Sequence, residues 1–196
     1  METPRLDVNY GVGQRIQLKL EMPWVQLRRD NDRRRAQGPG DATAGVKWRF
    51  LGEEGRTIAW SVYPQVEFNT ARSSVNEELV DAGPDVQLPT QITLQVARVE
   101  INGEVGRNFI KHGYGDWIGG LSTEVRASSR LELLAELHAE ATRRLPSELI
   151  ANVGARPKLT STSTLLLAAG RTVHSGRGTP GRVLVYAGLQ LALSTR

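Results

Sequence analysis

The chain has no cysteine and only three histidines among its 196 residues. A disulfide framework is therefore excluded. No stretch approaches the roughly 18 consecutive apolar residues that a membrane helix needs. Neither a Gly-x-Ser-x-Gly elbow nor a His-Glu-x-x-His pair occurs, so the familiar hydrolase and zinc-protease arrangements are missing. Charge of one sign is also lacking, with 25 basic against 21 acidic residues. The one dense basic run, Arg28, Arg29, Arg33, Arg34 and Arg35, sits in a polar stretch without the interleaved aromatics of a nucleic-acid binder. Residues 1–5 do not read as a signal peptide. A hydrophobic fraction of 39% and a mean hydropathy of −0.34 would suit a water-soluble protein. They equally suit a membrane barrel, whose strands turn only alternate residues to lipid.

What the chain does have is period two, from one end to the other. Leu6, Val8 and Tyr10 alternate with Asp7 and Asn9. Ile16, Leu18, Leu20, Met22 and Trp24 alternate with Gln17, Lys19 and Glu21, and Ala42, Ala44, Val46, Trp48 and Phe50 with Thr43, Gly45, Lys47 and Arg49. The same split recurs from Ile58 to Glu67, Leu88 to Val96, Val99 to Phe109 and Asp116 to Val125. It continues from Leu131 to Glu140, Leu149 to Lys158, Thr164 to Gly170 (where Leu166 breaks the rule) and Val183 to Leu193. This predicts eleven strands and no helix, in one domain spanning residues 1–196. Helix propensity competes only over Leu131 to Arg144, where the alternation favours a strand.

The connections are expected to alternate in length. Short turns fall at Gly11 to Gly13, Gly52 to Gly55, Ala97-Arg98, Ala127 to Arg130 and Thr160 to Ser163. Longer loops fall at Gln26 to Gly40, Thr70 to Val86, Lys111 to Gly115, Thr142 to Glu148 and Ser175 to Gly181. Tight turns at one rim and loops at the other is the pattern of an outer-membrane barrel. The expected fold is thus an all-β, antiparallel, up-and-down transmembrane β-barrel in the bacterial outer membrane. Such barrels close on even strand numbers, so twelve strands are expected in the complete protein, with one strand and a signal peptide upstream.

Large rings on the apolar face predict two aromatic girdles. Tyr10, Trp48, Phe50 and Trp60 lie toward the short turns, and Trp24, Phe109 and Trp117 toward the loops. On the polar face, Gly45, Gly106, Gly120, Gly154, Gly170 and Gly188 would make room for long neighbours inside a narrow barrel. The candidate lumen network is Arg15, Lys19, Glu21, Lys47 and Arg49, then an acidic wall of Glu100, Glu104, Glu124, Glu132, Glu136 and Glu140 with His138, then Arg156 and Lys158. These charges either line a polar path or pair across the interior as a plug, because buried charges must be compensated. Near-balance of signs favours the plug, with Lys47 and Arg49 meeting Glu100, Glu104 or Glu136.

A family resemblance rests on Leu6 to Gly11, Leu18 to Trp24, Gly40-Asp41 leading into Gly45 to Phe50, Tyr63-Pro64, Asn152 to Gly154, Ala169 to Arg171 and the closing Tyr186 to Gln190. In these segments the chain resembles outer-membrane proteins of the phenol-degradation meta-pathway transporter family. The resemblance implies a barrel with a signal peptide and one further N-terminal strand, passing hydrophobic or aromatic compounds.

The expected function is a pore or transporter for small molecules. The alternatives are a structural barrel with a charge-plugged lumen, a soluble antiparallel barrel and a membrane-embedded enzyme. No catalytic residue, metal or cofactor is expected. The expected partners are outer-membrane lipid and lipopolysaccharide, whose phosphates the arginine run could hold through bidentate contacts.

Overall fold

Residues that alternate apolar and polar cannot bury one stripe as a helix does, and here they pair side by side instead. A computed structural model of the chain describes residues 2–28, 35–52, 57–80, 83–110, 115–142, 145–175 and 183–193. Its elements are β1 (Glu2–Val12), β2 (Ile16–Arg28), β3 (Arg35–Pro39), β4 (Asp41–Leu51), β5 (Ile58–Val62), β6 (Gln65–Asn69), α1 (Arg72–Asn76), β7 (Asp85–Val96), β8 (Val99–Ile110), β9 (Asp116–Ser128), β10 (Leu131–Thr142), β11 (Leu145–Pro157), β12 (Ser163–Ser175) and β13 (Val183–Leu191).

All thirteen strands belong to one sheet, ordered β1-β2-β4-β5-β7-β8-β9-β10-β11-β12-β13. β3 and β4 both pair with β2 on the same side, and β5 and β6 both lie between β4 and β7. Each of these pairs is one strand position broken once, so the thirteen strands occupy the eleven positions of that order. The first break is at Gly40, where an added Cβ would come within 2.8 Å of Val25 and 2.9 Å of Pro23. The second is at Tyr63-Pro64, where proline has no N–H to give the ladder. The ladder passes through regardless, since the Tyr63 N–H donates to Pro89 O at 2.9 Å and Val46 N–H to Pro64 O at 3.0 Å.

Pairing is antiparallel throughout, each strand position with its neighbour in sequence. Directly paired residues share a face, and the register keeps the two sets apart. Leu18 faces Tyr10 and Val46, while Lys19 faces Asn9 and Gly45. Leu137 faces Leu121 and Ala151, while Glu136 faces Ser122 and Asn152.

The burial is the reverse of that in a water-soluble protein. Ala42 is the one buried hydrophobic residue among those described, whereas Ser61, Ser74 and Asn102 are buried polar ones. Leu121 is 51% exposed, Val153 63% and Trp48 50%. Among the described residues no second layer covers the polar face, which has only the five-residue α1 near one end. A single sheet can shield one face without a covering layer only by curling, so the polar face is the concave one. No helix among the described residues is long and apolar enough to cross a membrane.

Several expectations need correction. The stretch 72–76 is helical, held by Ser74, whose hydroxyl donates to Pro39 O at 2.7 Å. Five residues are too few to display a helical period. The loop expected from Gln26 to Gly40 is largely strand, because β2 runs to Arg28 and pairs with β3 up to Arg28↔Arg35. Arg29, Arg33 and Arg34 lie outside the described residues. The stretch Thr142 to Glu148, expected as a loop, is largely strand, because Thr142 already pairs with Leu145 and β11 begins there. Gly11 and Val12 belong to β1, and the turn is Gly13 to Arg15, so Arg15 sits at the short-turn rim rather than in a strand. Lys158 follows the end of β11 and makes an isolated bridge to Thr164. The segment Leu131 to Thr142 is strand, as its alternation predicts.

Candidate functional site

The concave face carries the charges, and its rows can be read from the register. One row runs Ser61, Gln91, Glu104, Gly120, His138, Ile150, Thr172 across the sheet. The next runs Thr93, Asn102, Ser122, Glu136, Asn152, Gly170. A third runs Gln95, Glu100, Glu124, Leu134, Gly154, Ala168, Tyr186. Lys19, Glu21, Lys47, Arg49, Glu100, Glu104, Glu124, Glu132, Glu136, His138, Glu140 and Arg156 of the expected network all occupy this face.

The charges pair within two sectors. In the first, on β1 and β2, Lys19 Nζ lies 2.7 Å from Glu21 and 3.8 Å from Asp7, and Arg5 lies 3.8 Å from Glu21. Lys47 on β4 donates to Gln91 on β7, reaching past β5. Tyr63 lies over Gly45, where an added Cβ would be 2.7 Å from its ring. Side chains thus fill the concave side here.

In the second sector, on β8 to β11, carboxylates stand opposite each other at Glu100↔Glu124 and Glu140↔Glu148. Opposed like charges are unfavourable. Arg156 relieves the first pair by reaching past β10 to Glu124 at 2.9 Å, while facing Glu132 across the ladder. Glu136 accepts a hydrogen bond from Asn152 Nδ2 at 3.2 Å, and His138 Nε2 lies 3.3 Å from Glu140. Among the described residues no ion pair joins Lys47 or Arg49 to Glu100, Glu104 or Glu136. Lys47 feels Glu104 and Glu100 only through longer-range electrostatics.

Between the acidic rows and β13 lies a cavity of about 340 Å³. Leu134, Leu166 and Tyr186 give it an apolar strip, with Glu136 and Asn152 at one side and the Glu124–Arg156 pair at the other. Gly154 and Ala168 lie between and, having little or no side chain, leave the room that the cavity occupies. The break in alternation at Leu166 is the sequence trace of this strip. Leu134 hides in a run that reads equally well without it, and the cavity itself has no sequence signal.

On the convex face Tyr10, Trp24, Trp48, Trp60, Phe109 and Trp117 point outward by register, and Phe50, at the register shift between β4 and β5, joins them through its ring contacts. Trp48, Phe50 and Trp60 touch, with ring centroids 5.8 and 5.2 Å apart. The Trp60 indole N–H donates to the Thr90 hydroxyl at 2.7 Å, so its polar atom is satisfied within an apolar surface. Tyr10, Trp24, Phe109 and Trp117 are exposed on the same face. Sequence reasoning missed two outward arginines, Arg107 between Leu88 and Trp117, and Arg171 between Ala151 and Val183. Parity with Val105 and Phe109, and with Ala169, marks both.

Among the described residues no group of His, Asp and Glu is arranged to hold a metal ion. Comparison with protein-family models and with curated proteins gives no match.

Proposed function

We propose that this sheet is the wall of a bacterial outer-membrane β-barrel whose acidic lumen conducts or holds small molecules without transforming them. The inverted burial carries the reading. Large apolar side chains cover the convex face, and paired polar ones shelter on the concave face. Apolar surface on that scale is stable against hydrocarbon and unstable against water. Aromatic rings toward both ends of the strands fit two headgroup boundaries.

Strand parity supports a twelve-stranded closure. Eleven antiparallel positions leave β1 and β13 running in the same direction. One more strand, antiparallel to both, seals the gap with an ordinary ladder, and unpaired edges are costly in hydrocarbon. The lumen of such a barrel favours cations, because the carboxylates on β8 to β11 outnumber their bases. The strip beside Leu134, Leu166 and Tyr186 suits a solute with an apolar body. The resemblance to the phenol-degradation family, which rests on the segments quoted above, points the same way, toward hydrophobic or aromatic cargo. Lipopolysaccharide facing Arg28, Arg29, Arg33, Arg34 and Arg35 belongs to this reading as a partner.

Refolding into lipid vesicles, with heat-modifiable gel mobility as the folding readout, tests insertion. Single-channel recording in a planar bilayer tests conduction. Cation-selective openings are expected. A monodisperse folded monomer in detergent-free buffer would overturn the membrane reading. Insertion without conductance would favour the second reading, a structural barrel with a plugged lumen. That reading has its own support in Tyr63 over Gly45 and in the Lys47–Gln91 bond, both of which fill the concave side.

A further inference from the structure

Arg107 and Arg171 break the outward apolar face at matching heights. Each lies eight residues past the first residue of its strand, Val99 of β8 and Ser163 of β12, counted from the short-turn end. Trp24 stands as far past Ile16 in β2. Eight residues span roughly 26 Å along a strand, or about 20 Å of height at a barrel tilt near 40°. That is close to the far limit of an apolar band about 25 Å tall. Below Arg107 the outward positions are Val105, Gly103, Ile101 and Val99, and below Arg171 they are Ala169, Leu167 and Leu165. Both arginines therefore interrupt an apolar column near its loop end, with Phe109 and Val173 the next outward residues beyond them.

Neither has an acid beside it on this face. The cross-strand neighbours of Arg107 are Leu88 and Trp117, and those of Arg171 are Ala151 and Val183. Among the described residues neither arginine forms an ion pair. The Arg107 guanidinium lies 5.2 Å from the centroid of the Trp117 ring, which holds it by cation–π attraction and leaves its N–H groups available. Gly115 keeps the approach clear, since a Cβ there would come within 3.2 Å of Arg107 Nη2.

We propose that Arg107 with Trp117, and Arg171, are two binding sites for the headgroup phosphates of lipids in the leaflet at the loop rim, each guanidinium forking onto phosphate oxygens. The proposal rests on the barrel reading. A guanidinium at the hydrocarbon boundary, without a carboxylate, requires an anion, and a lipid phosphate is the anion present at that depth.

Native mass spectrometry of the full chain, refolded in a neutral detergent and titrated with lipid A, tests it. The wild type is expected to retain two more lipids than the double variant, and Arg107→Gln and Arg171→Gln one more each, so that any lipid held at the arginine run of residues 28–35 cancels. Apparent affinity should fall at least about tenfold per site, as for loss of a charge-assisted contact. Arg107→Lys keeps the charge without the fork and should hold lipid at an intermediate level. Unchanged retention in the folded double variant overturns the proposal. So does displacement of lipid A by excess inorganic phosphate, which would make these sites for a free anion. Vesicle insertion separates the failures. If the wild type inserts and the variants hold lipid A as it does, only these sites fall; if it does not insert, the barrel reading falls with them.

Discussion

The concave side of β1 to β7 and that of β9 to β13 follow one alternation rule yet end in different interiors. Both place glycines inward. In the first, Gly45 receives the Tyr63 ring, Lys47 reaches Gln91, and six of the eight residues buried among those described, Gly38, Gly40, Ala42, Ser61, Ser74 and Pro89, lie within or against this part. In the second, Gly154 faces Leu134 and Ala168, no ring comes down onto it, and a cavity remains. Tyr186 does lie over a glycine, but over Gly188 on its own edge strand. A glycine on the inner face of a curled sheet is thus an opening that a neighbour either fills or leaves. The choice of neighbour, and not the alternation, decides which sector is solid.

The broadest way to break this comparison is to attack the convex face, where the two sectors should behave alike. Val46→Arg in the first and Leu137→Arg in the second should each destabilise folding into bilayers by roughly 2–4 kcal/mol, with Lys47→Arg and His138→Arg far milder. Urea titration in vesicles measures this. Equal losses on both faces would abolish the assignment of convex to lipid.

The interiors should then separate. Gly45→Ala places a methyl against the Tyr63 ring and should destabilise by about 1–3 kcal/mol, as overpacking does. Ala168→Leu extends into the cavity and should stay within about 0.5 kcal/mol. Similar losses at the two sites would show the sectors to be equally filled.

Removing Arg156 sharpens the charge contrast. Arg156→Gln leaves Glu124 facing Glu100 without its ion pair, and the loss should be at most about 1 kcal/mol because the pair is partly exposed. Its larger effect should be on conduction, with the reversal potential moving toward stronger cation preference. The smallest stability change is expected for Glu136→Gln, which removes a charge held by a neutral amide and no ion pair. Reversal potential should shift toward anions. A marked loss of stability there, or an unmoved potential, would argue for the plugged interior.

Strand positions and faces were legible in the sequence because period two admits no helical competitor, and even Leu131 to Thr142 follows it. Fine connectivity was not. Arg143, Arg144 and Pro146 read as loop by composition, yet Thr142 and Leu145 pair across two residues. Residues 72–76 form a short helix with its own backbone hydrogen bonds, tied by Ser74 to Pro39, which lies 35 residues away. The charged set was found on the correct face, but its partners were not, since pairing depends on which strand the sheet's curvature brings within reach. Lys47 meets Gln91 and Arg156 meets Glu124, each one position beyond its ladder neighbour. Arg107 and Arg171 were readable by parity and passed over, because an outward cation contradicts the pattern that identifies the face.

The scarcity of buried carbon has a calorimetric consequence. Heat capacity rises on unfolding because apolar groups newly meet water, typically by about 12–15 cal/mol/K per residue. Here Leu6, Leu121, Val153 and Leu189 are already more than half exposed in the folded chain. In an aqueous medium, opening the sheet would change their hydration little, so both the heat-capacity step and the urea m-value should be small for a chain of 196 residues. The restraint on the chain's disorder must then come from whatever wets the convex face. On the barrel reading, the hydrophobic core of this molecule lies outside it.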